Sequence, residues 1–379
     1  MKDLTLSETI HVVSAIDLNY VQHFYVMLTS LIKNTNNSLH IHILYNGMPA
    51  QELEQIKKDF VFKNVKLTFY NIEHRNMENF FLSTYVSLAT YYRIFIPQIL
   101  SDEIEKVIYL DSDLIVCKDI KELWSIDLNN KALAAIDDLL GYERLEELGI
   151  PKRYKYFNAG VLVINVKYWR EACILERLVH FVNENPEKLK YHDQDALNAI
   201  LYDKRLCTLH PKWNVQSNMF TLVEKKYHEN KKLLEAIDQP SIIHYTTGSK
   251  PWHVSNKHPL RDVYYDYLKL TRYKNFTPLK EETVKLLDNK KSLYVFGAGD
   301  SGIHLIQELG WNIDGYIDND PTKWGNTISG VEVTSLKDVM CKNEIGDVGI
   351  IVASGRYKEI GTQLSSIGLL WNRDFVYQL

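Results

Sequence analysis

Short apolar runs alternate along the first third of the chain with longer stretches whose apolar residues recur every three or four positions. His11–Ala15, His40–Leu44, Val65–Phe69 and Val107–Leu110 read as strands, and Tyr20–Lys33 and Pro49–Phe60 read as helices. In the second of these helices Leu53, Ile56 and Phe60 fall on one face. A further helix is expected from Thr84 to Phe95, after the polar stretch Glu73–Asn79. Strand–helix alternation predicts an α/β fold with a mostly parallel, mixed sheet. Ligands of such sheets bind beyond the carboxyl ends of strands, and Asp17 and Asp111 both fall there.

The pattern then loosens. Ala132–Ile136 is a strand ending in Asp137-Asp138, and Val161–Asn165 is another, entered through Tyr156-Phe157-Asn158-Ala159-Gly160. Val166–Asn183 reads as largely helical, and a helix opens at His192-Asp193-Gln194-Asp195 with Ala196, Leu197, Ile200 and Leu201 as its apolar stripe. Ile242-Ile243 runs into His244, and the segment continues to Trp252. Leu139–Tyr156 and Met219–Leu234 are expected to be loops. Arg261–Phe276 mixes Tyr264, Tyr265, Tyr267, Tyr273 and Phe276 with four basic residues. It reads either as a helix packed on a second domain or as a peripheral contact with a membrane surface.

A second, smaller α/β unit follows. Ser292–Phe296 is a strand, Gly297-Ala298-Gly299-Asp300-Ser301-Gly302 a turn into a helix through Leu309, and Ile313–Ile317 a strand ending at Asp318. This is Gly-x-Gly-x-x-Gly in its strand-to-helix setting, with an acidic residue 21 positions after the first glycine. Gly297, Gly299, Gly302 and Asp318 are therefore candidates for binding a nucleotide. The alternative is a scaffolding or dimerising domain, because Val348–Ala353 is the one clear later strand. The expected organisation is a catalytic domain over 1–275, a linker or bridging helix over 276–291, and a Rossmann-like domain over 292–379.

Composition narrows the class without choosing a function. At 379 residues, 45% hydrophobic and 24% charged, the chain suits a globular protein of two domains. A net charge of −4 argues against nucleic acid as the main partner. The polar first residues do not read as a secretory signal, and no run of about 18 apolar residues suggests a spanning helix. Cys117, Cys173, Cys207 and Cys341 form no Cys-x-x-Cys pair and read as reduced, mostly buried thiols. A cytoplasmic location, with peripheral membrane contact as a variant, is the expectation.

Of three Asp-x-Asp pairs, Asp111-Ser112-Asp113 stands out for its place at the end of an apolar strand. Carboxylates there must be paired or bound to metal, since an isolated buried charge is too costly. Their hard oxygens suit Mg²⁺ or Mn²⁺, and such an ion holds a diphosphate. His244 follows the strand Ile242-Ile243, six residues before Lys250 in a glycine-containing loop. An imidazole completes a half-shell around the ion, and the ammonium suits a diphosphate leaving group.

Six stretches in this order resemble retaining glycosyltransferases of family 8, which include bacterial lipopolysaccharide galactosyl- and glucosyltransferases and glycogenin. They are Ala15-Ile16-Asp17-Leu18-Asn19-Tyr20, Tyr91-Tyr92-Arg93, Val107 through Leu114, Phe157-Asn158-Ala159-Gly160-Val161, Asp193-Gln194-Asp195, and His244-Tyr245 through Lys250-Pro251-Trp252. The resemblance covers about the first 270 residues and implies a GT-A type fold. It implies that Asp17 and Asn19, with the backbone at Ala15 and Tyr20, meet the uridine of a UDP-sugar. Asp111, Asp113 and His244 would bind Mn²⁺, with Mg²⁺ as an alternative, and Ser112 would lie against the donor. Arg93, Asn158, Asp193 and Gln194 would surround the hexose. Thr247, Gly248 and Lys250 would hold the diphosphate, and Asp137 matches a position near the acceptor. One departure is Thr247, where the family usually has glycine, so that loop must close without easy access to positive φ.

The implied reaction is transfer of galactose or glucose from a UDP-hexose to a hydroxyl of a glycan acceptor on lipid, protein or polysaccharide. Retention is reached through a covalent intermediate on Asp193 or by same-face attack with Gln194 orienting, and the second route is preferred. Two rivals remain: an oxidoreductase or epimerase run by the Gly297 motif, and a nucleotide-sugar-binding scaffold without transferase activity. A homodimer built through the C-terminal domain is a further expectation.

Overall fold

Valine, isoleucine and leucine dominate the first two strands, whose other positions include three histidines. In the computed structural model, which describes residues 8–72, 88–206, 209–253, 256–276, 287–309 and 312–377, β1 (Ile10–Ile16), β2 (Leu39–Tyr45) and β3 (Val65–Asn71) pair in parallel and in unbroken register. They are followed by β4 (Lys106–Leu110), β5 (Leu114–Val116), β6 (Leu133–Asp137), β7 (Phe157–Asn165), β8 (Arg205–Leu206), β9 (Val215–Gln216) and β10 (Ile242–His244). The main sheet has the order β3-β2-β1-β4-β7-β6-β8. Within it β7 runs antiparallel between β4 and β6, so the sheet is mixed and mostly parallel.

A three-stranded sheet, β5-β10-β9, splits off after the acidic pair. Its antiparallel register sets His244 opposite Leu114, next in sequence to Asp113. That pairing positions the site. Helix Val21–Asn34 buries Phe24, Met27, Leu28 and Leu31, and the main core gathers Val13, Tyr91, Tyr109, Leu162 and Trp169. His11, His40 and His42 lie together across β1 and β2. Burial, aided by Lys66 and the neighbouring rings, pushes His40 down to about 4 and His42 to about 3, so these rings are neutral near pH 7.

Several local expectations change. Leu88–Phe95 is a 3₁₀ helix, and a single α turn, Ile96–Ile99, starts beside Pro97, which offers no N–H to continue the ladder. The expected start of that helix at Thr84 lies outside the described residues. Val166–Asn183 is broken into Val166–Glu171 and Ile174–Glu184 by Cys173 at φ 49°. Met219–Leu234 is no loop: helices Ser217–Lys225 and Lys231–Asp238 bury Met219, Val223, Leu233 and Ala236 together. Cys173 and Cys341 are exposed rather than buried, one at the helix break and one on the helix Leu336–Lys342, and Cys207 lies outside the described residues.

Packing divides the chain into Met1–Thr246 and Thr247–Leu379, earlier than the sequence boundary expected at 275. Most of the expected linker, 277–286, lies outside the described residues. In the second unit the helix Arg261–Leu268 buries Tyr264 and Leu268, and Tyr265 donates its hydroxyl to the Pro251 carbonyl at 3.1 Å. Among the described residues no helix is long and apolar enough to cross a membrane.

The second unit's sheet is fuller than its sequence suggests. β11 (Ser292–Phe296), β12 (Gly315–Ile317), β13 (Thr327–Ile328), β14 (Val331–Thr334), β15 (Val348–Val352) and β16 (Phe375–Tyr377) take the order β13-β14-β12-β11-β15-β16. Strands of two to four residues are too short to print a period of two. Asp374 anchors this edge: it is fully buried, receives Lys290 Nζ at 2.6 Å and Arg373 Nε at 2.9 Å, and accepts the Leu370 N–H at 2.8 Å.

Burial pushes the Asp374 carboxyl up, but Arg373 and Lys290 outweigh it and hold it at about 2. Its folded value lies below the unfolded one, so its stabilising contribution is complete above about pH 4 and is lost as pH falls towards 2. Asp374→Asn is expected to cost the second unit roughly 3 kcal/mol at pH 7, because Lys290 stays buried without its charge partner. Urea unfolding read by hydrogen exchange in β15 and β16 should show that gap narrowing as pH drops from 5 to 3.

Candidate active site

After β4 the chain turns through Asp111-Ser112-Asp113, and three other segments pin that turn. The Asp111 N–H donates to the Gly160 carbonyl at 2.9 Å and the Tyr245 N–H to the Asp113 carbonyl at 3.1 Å. Ser112 Oγ donates to the Ala15 carbonyl at 3.2 Å, tying the end of β1 to the turn. His244 Nε2 lies 3.2 Å from Asp113 Oδ1 and 3.7 Å from Asp111 Oδ2. One ligand atom from each of the three lies within 4.8 Å of the others.

The surroundings of His244 test whether this trio suits a cation. Its Nδ1 donates to Asn214 Oδ1 at 2.9 Å, and Asn214 Nδ2 donates in turn to Asn158 Oδ1 at 2.9 Å. That chain fixes the tautomer and leaves the Nε2 lone pair facing two carboxylates, as a metal-ligating imidazole requires. A Cβ on Gly160 would sit 2.1 Å from His244 Cε1 and 2.6 Å from Asp111 Oδ2. The space is kept by the absence of a side chain. Two carboxylates and one directed imidazole fit a divalent cation.

Arg93 stands behind the acidic pair. It is buried, with Nη2 3.2 Å from Asp111 Oδ1 and Nε 2.7 Å from Asp193 Oδ2. Its guanidinium lies over the Tyr109 ring at 4.5 Å, Nη1 donates to the Ala159 carbonyl, and the Tyr109 hydroxyl donates to Asp111 Oδ1 at 3.0 Å. Oδ1 of Asp111 is thereby occupied and Oδ2 faces His244. Asp193 is 1% exposed, and burial pushes its carboxyl up to about 7 against the pull of Arg93. Burial first, and then the carboxylates of Asp113, Asp17 and Asp111, push the Tyr20 phenol well up, so Tyr20 feels the acidic pair.

Gln194 is the next link. Its Oε1 accepts the Ala159 N–H at 2.9 Å and Asn158 Nδ2 at 3.2 Å, and its Nε2 donates to Asp138 Oδ2 at 3.3 Å. Asp195, the second carboxylate of that Asp-x-Asp, is turned away from the acidic pair: Arg144 Nη2 approaches it at 3.1 Å and the Tyr156 hydroxyl donates to it at 2.7 Å. Asp17 Oδ1 accepts the N–H groups of Asn19 and Tyr20 at 2.9 and 3.0 Å, which shapes the loop after β1. Asp137 pairs with Arg205 at 2.6 Å and Lys155 at 3.0 Å, so of the two adjacent aspartates it is Asp138 that reaches Gln194.

Arg93, Asp111, Asp113, Asn158, Asp193, Gln194 and His244 are thus one connected network. Thr247, Gly248 and Lys250 belong to the second unit, where Thr247 Oγ1 donates to the Ser249 carbonyl at 3.0 Å and the Lys250 N–H to His253 Nδ1 at 3.2 Å. Two glycines of that unit's motif are explained by packing. A Cβ on Gly297, at φ +123°, would lie 2.3 Å from the Ala353 carbonyl oxygen, and one on Gly302 would lie 2.1 Å from the Gly297 oxygen. Gly299 accepts the Ile303 N–H at 3.0 Å at the helix start. Asp318 accepts the Ala298 N–H at 3.0 Å and Lys323 Nζ at 2.8 Å, which satisfies it within the fold.

Sequence reasoning missed Asn214, Tyr109 and Asp138. Asn214 carried no signal, lying 30 residues before His244 at the end of a three-residue 3₁₀ turn. Tyr109 was hidden inside an apolar strand. Asp138 was visible only as the neighbour of Asp137.

Residues 11–256 match the family described as glycosyl transferase family 8. General stress protein A of Bacillus subtilis strain 168 is 34% identical over 279 residues, covering 70% of this chain and 95% of that protein. Lipopolysaccharide 1,2-glucosyltransferase of Escherichia coli K12 is 26% identical over 288 residues, 75% of this chain and 85% of that one. The crystal structure of the galactosyltransferase LgtC with donor and acceptor sugar analogues has the same fold, at TM-score 0.62 and 23% identity over 72% of this chain and 98% of that chain. Glycosyltransferase GlyE of Streptococcus pneumoniae TIGR4 aligns at TM-score 0.55 and 20% identity over 97% of this chain and 95% of its own. The network around Asp111 therefore sits in a fold of the GT-A type, and the chain belongs to glycosyl transferase family 8.

Proposed function

We propose that this glycosyltransferase is a retaining hexosyltransferase, moving galactose or glucose from a UDP-sugar to a hydroxyl of a glycan acceptor on lipid, protein or polysaccharide. The observation that carries the reading is the meeting of Asp111, Asp113 and His244, joined to Gln194 through Asn214 and Asn158. Asp111, Asp113 and His244 would hold Mn²⁺, with Mg²⁺ as the alternative. When bound, the ion supplies Lewis-acid neutralisation of a diphosphate. Asp17, Asn19, Tyr20 and the Ala15 backbone take the uridine side, and Arg93, Asn158, Asp193 and Gln194 take the hexose. Lys250, with Thr247 and Gly248, neutralises charge on the departing diphosphate. Asp137 takes the acceptor side, beside Asp138. The catalytic module is taken to extend to about residue 275.

The contacts of Asp193 and Gln194 favour same-face attack. A nucleophile for a double displacement must be free to reach the anomeric carbon. Asp193 is 1% exposed with an oxygen 2.7 Å from Arg93 Nε, and the Gln194 amide is a weak nucleophile held by Ala159, Asn158 and Asp138. In same-face transfer the acceptor oxygen bonds to the anomeric carbon as its bond to the β-phosphate oxygen breaks. The acceptor proton passes to the departing phosphate oxygen, so charge balances without a base from the protein. Gln194 orients the sugar and Asp193 keeps Arg93 in place.

Three outcomes test this reading. In a screen of UDP-sugars, UDP release is expected with UDP-galactose or UDP-glucose plus Mn²⁺, and chelation should abolish it. If no UDP-sugar is bound or turned over and metal makes no difference, the proposal fails. Asp113→Asn should stay folded and lose roughly 100-fold or more in kcat/KM, with weaker Mn²⁺ binding by calorimetry. Asn214→Ala should weaken Mn²⁺ binding about 10- to 100-fold, because His244 loses the partner that orients it. Unchanged metal affinity in the Asn214 variant would remove its positioning role.

A further inference from the structure

The β1–β2 pair carries a second set of convergent ligands at the end of β1 away from the donor loop. His11 lies in register with His40, and His42 is two residues further along β2. Two residues on share a face of a strand, so all three rings fall on one side of the sheet. His11 Nδ1 is 3.0 Å from His42 Nε2, and one ring nitrogen from each histidine lies within 4.8 Å of those of the other two. The His11 and His42 rings stack at 17° with centroids 5.3 Å apart, and those of His40 and His42 are 4.0 Å apart. From His11 to Ala15 the strand rises about 13 Å, which separates this trio from the acidic pair.

We propose that His11, His40 and His42 form a second metal site, one that takes a divalent ion of the Zn²⁺, Co²⁺ or Ni²⁺ class. Three observations carry it. The donors are all imidazole nitrogens, which suit these ions and not the Mg²⁺ or Mn²⁺ that suit carboxylates. Nitrogens of a tetrahedral site stand about 3.4 Å apart, given metal–nitrogen bonds of about 2.05 Å, so the trio closes on one ion with ring movements of about an ångström. Each of two rings also has an oxygen partner to hold it: Tyr70 OH lies 3.0 Å from His42 Nδ1, and Thr68 Oγ1 lies 2.8 Å from His40 Nε2. Such partners orient ligating imidazoles. His42 is fully buried, whereas His11 and His40 are half-buried, which leaves the ion a way in. Three protein ligands leave a fourth position for water. The ion ties β1 to β2, the strands whose far ends lead into the donor loop.

Lys66 bears on the affinity. It is the register partner of His40, and its ammonium is felt by all three rings. A cation there opposes a divalent ion, so the site is weaker than an isolated three-histidine site, and removing the charge tightens it.

The test uses the full chain, stripped of metal and titrated with Co²⁺ alone, in wild type and in Asp113→Asn. Both are expected to bind one Co²⁺ with the intense visible absorption of a nitrogen-rich tetrahedral ion, and Zn²⁺ should displace it. His11→Gln and His42→Gln should lose that absorption, and Lys66→Gln should bind Co²⁺ roughly threefold more tightly. Zn²⁺ at about 100 times its Kd should raise the unfolding midpoint of Asp113→Asn by roughly 5 °C, and should not do so when His11→Gln is added. Half-buried His11 serves as the test if His42→Gln does not fold. The proposal is overturned if wild type shows no tetrahedral absorption, if the absorption survives both histidine changes, or if Asp113→Asn alone removes it.

Discussion

A buried guanidinium shared between two carboxylates is the constraint on which the first unit's site depends. Arg93 holds Asp111 on one side and Asp193 on the other, and its plane lies on the ring of Tyr109. Removing a charge from water is tolerable only when partners and hydrogen bonds replace the lost hydration. Here the replacement comes from four segments: the 3₁₀ helix that carries Arg93, β4, β7 and the helix that opens at Asp193. Docking that helix places Gln194, and occupying one oxygen of Asp111 turns the other towards His244. One ion-pair network thus orders both the Asp111–His244 side and the Gln194 side of the site.

Between those sides runs a relay of neutral amides. Asn214 fixes His244, Asn158 fixes Asn214, and Gln194 accepts from Asn158 and from the backbone of Ala159. Amides suit this task because each offers both donor and acceptor, so the direction of every bond is settled by its neighbour. They also add no charge to a site already holding several carboxylates. Gly160 completes the arrangement by occupying no space between His244 and Asp111.

The second unit shows how a motif can be accounted for by its own fold. Glycine at 297 is demanded by positive φ and by the nearby Ala353 carbonyl, glycine at 302 by the close return of the strand-to-helix turn. Asp318 is satisfied by Ala298 and Lys323. Gly297, Gly302 and Asp318 of the pattern that points towards a nucleotide thus also have a packing or hydrogen-bonding reason to be there. The pattern therefore specifies a parallel α/β turn, and a ligand is a further question.

Much of the α/β order was legible in the chain because strands buried on both faces read as apolar runs and amphipathic helices carry a period near 3.6. The acidic pair was legible because charge at the end of such a run has few structural excuses. Spacing along the sequence could not show which partners meet across it. Asn214 and His244, Gln194 and Asp138, and His11, His40 and His42 come together only through strand register and helix docking. Nor could local pattern reveal that Met219–Leu234 forms helices, which packing decided, or that Cys173 breaks one. By itself the sequence determined the longer strands and amphipathic helices and the chemistry available at their ends. The tertiary structure decided which oxygen faces which nitrogen, because that direction is set by neighbours distant in the chain and adjacent only in space.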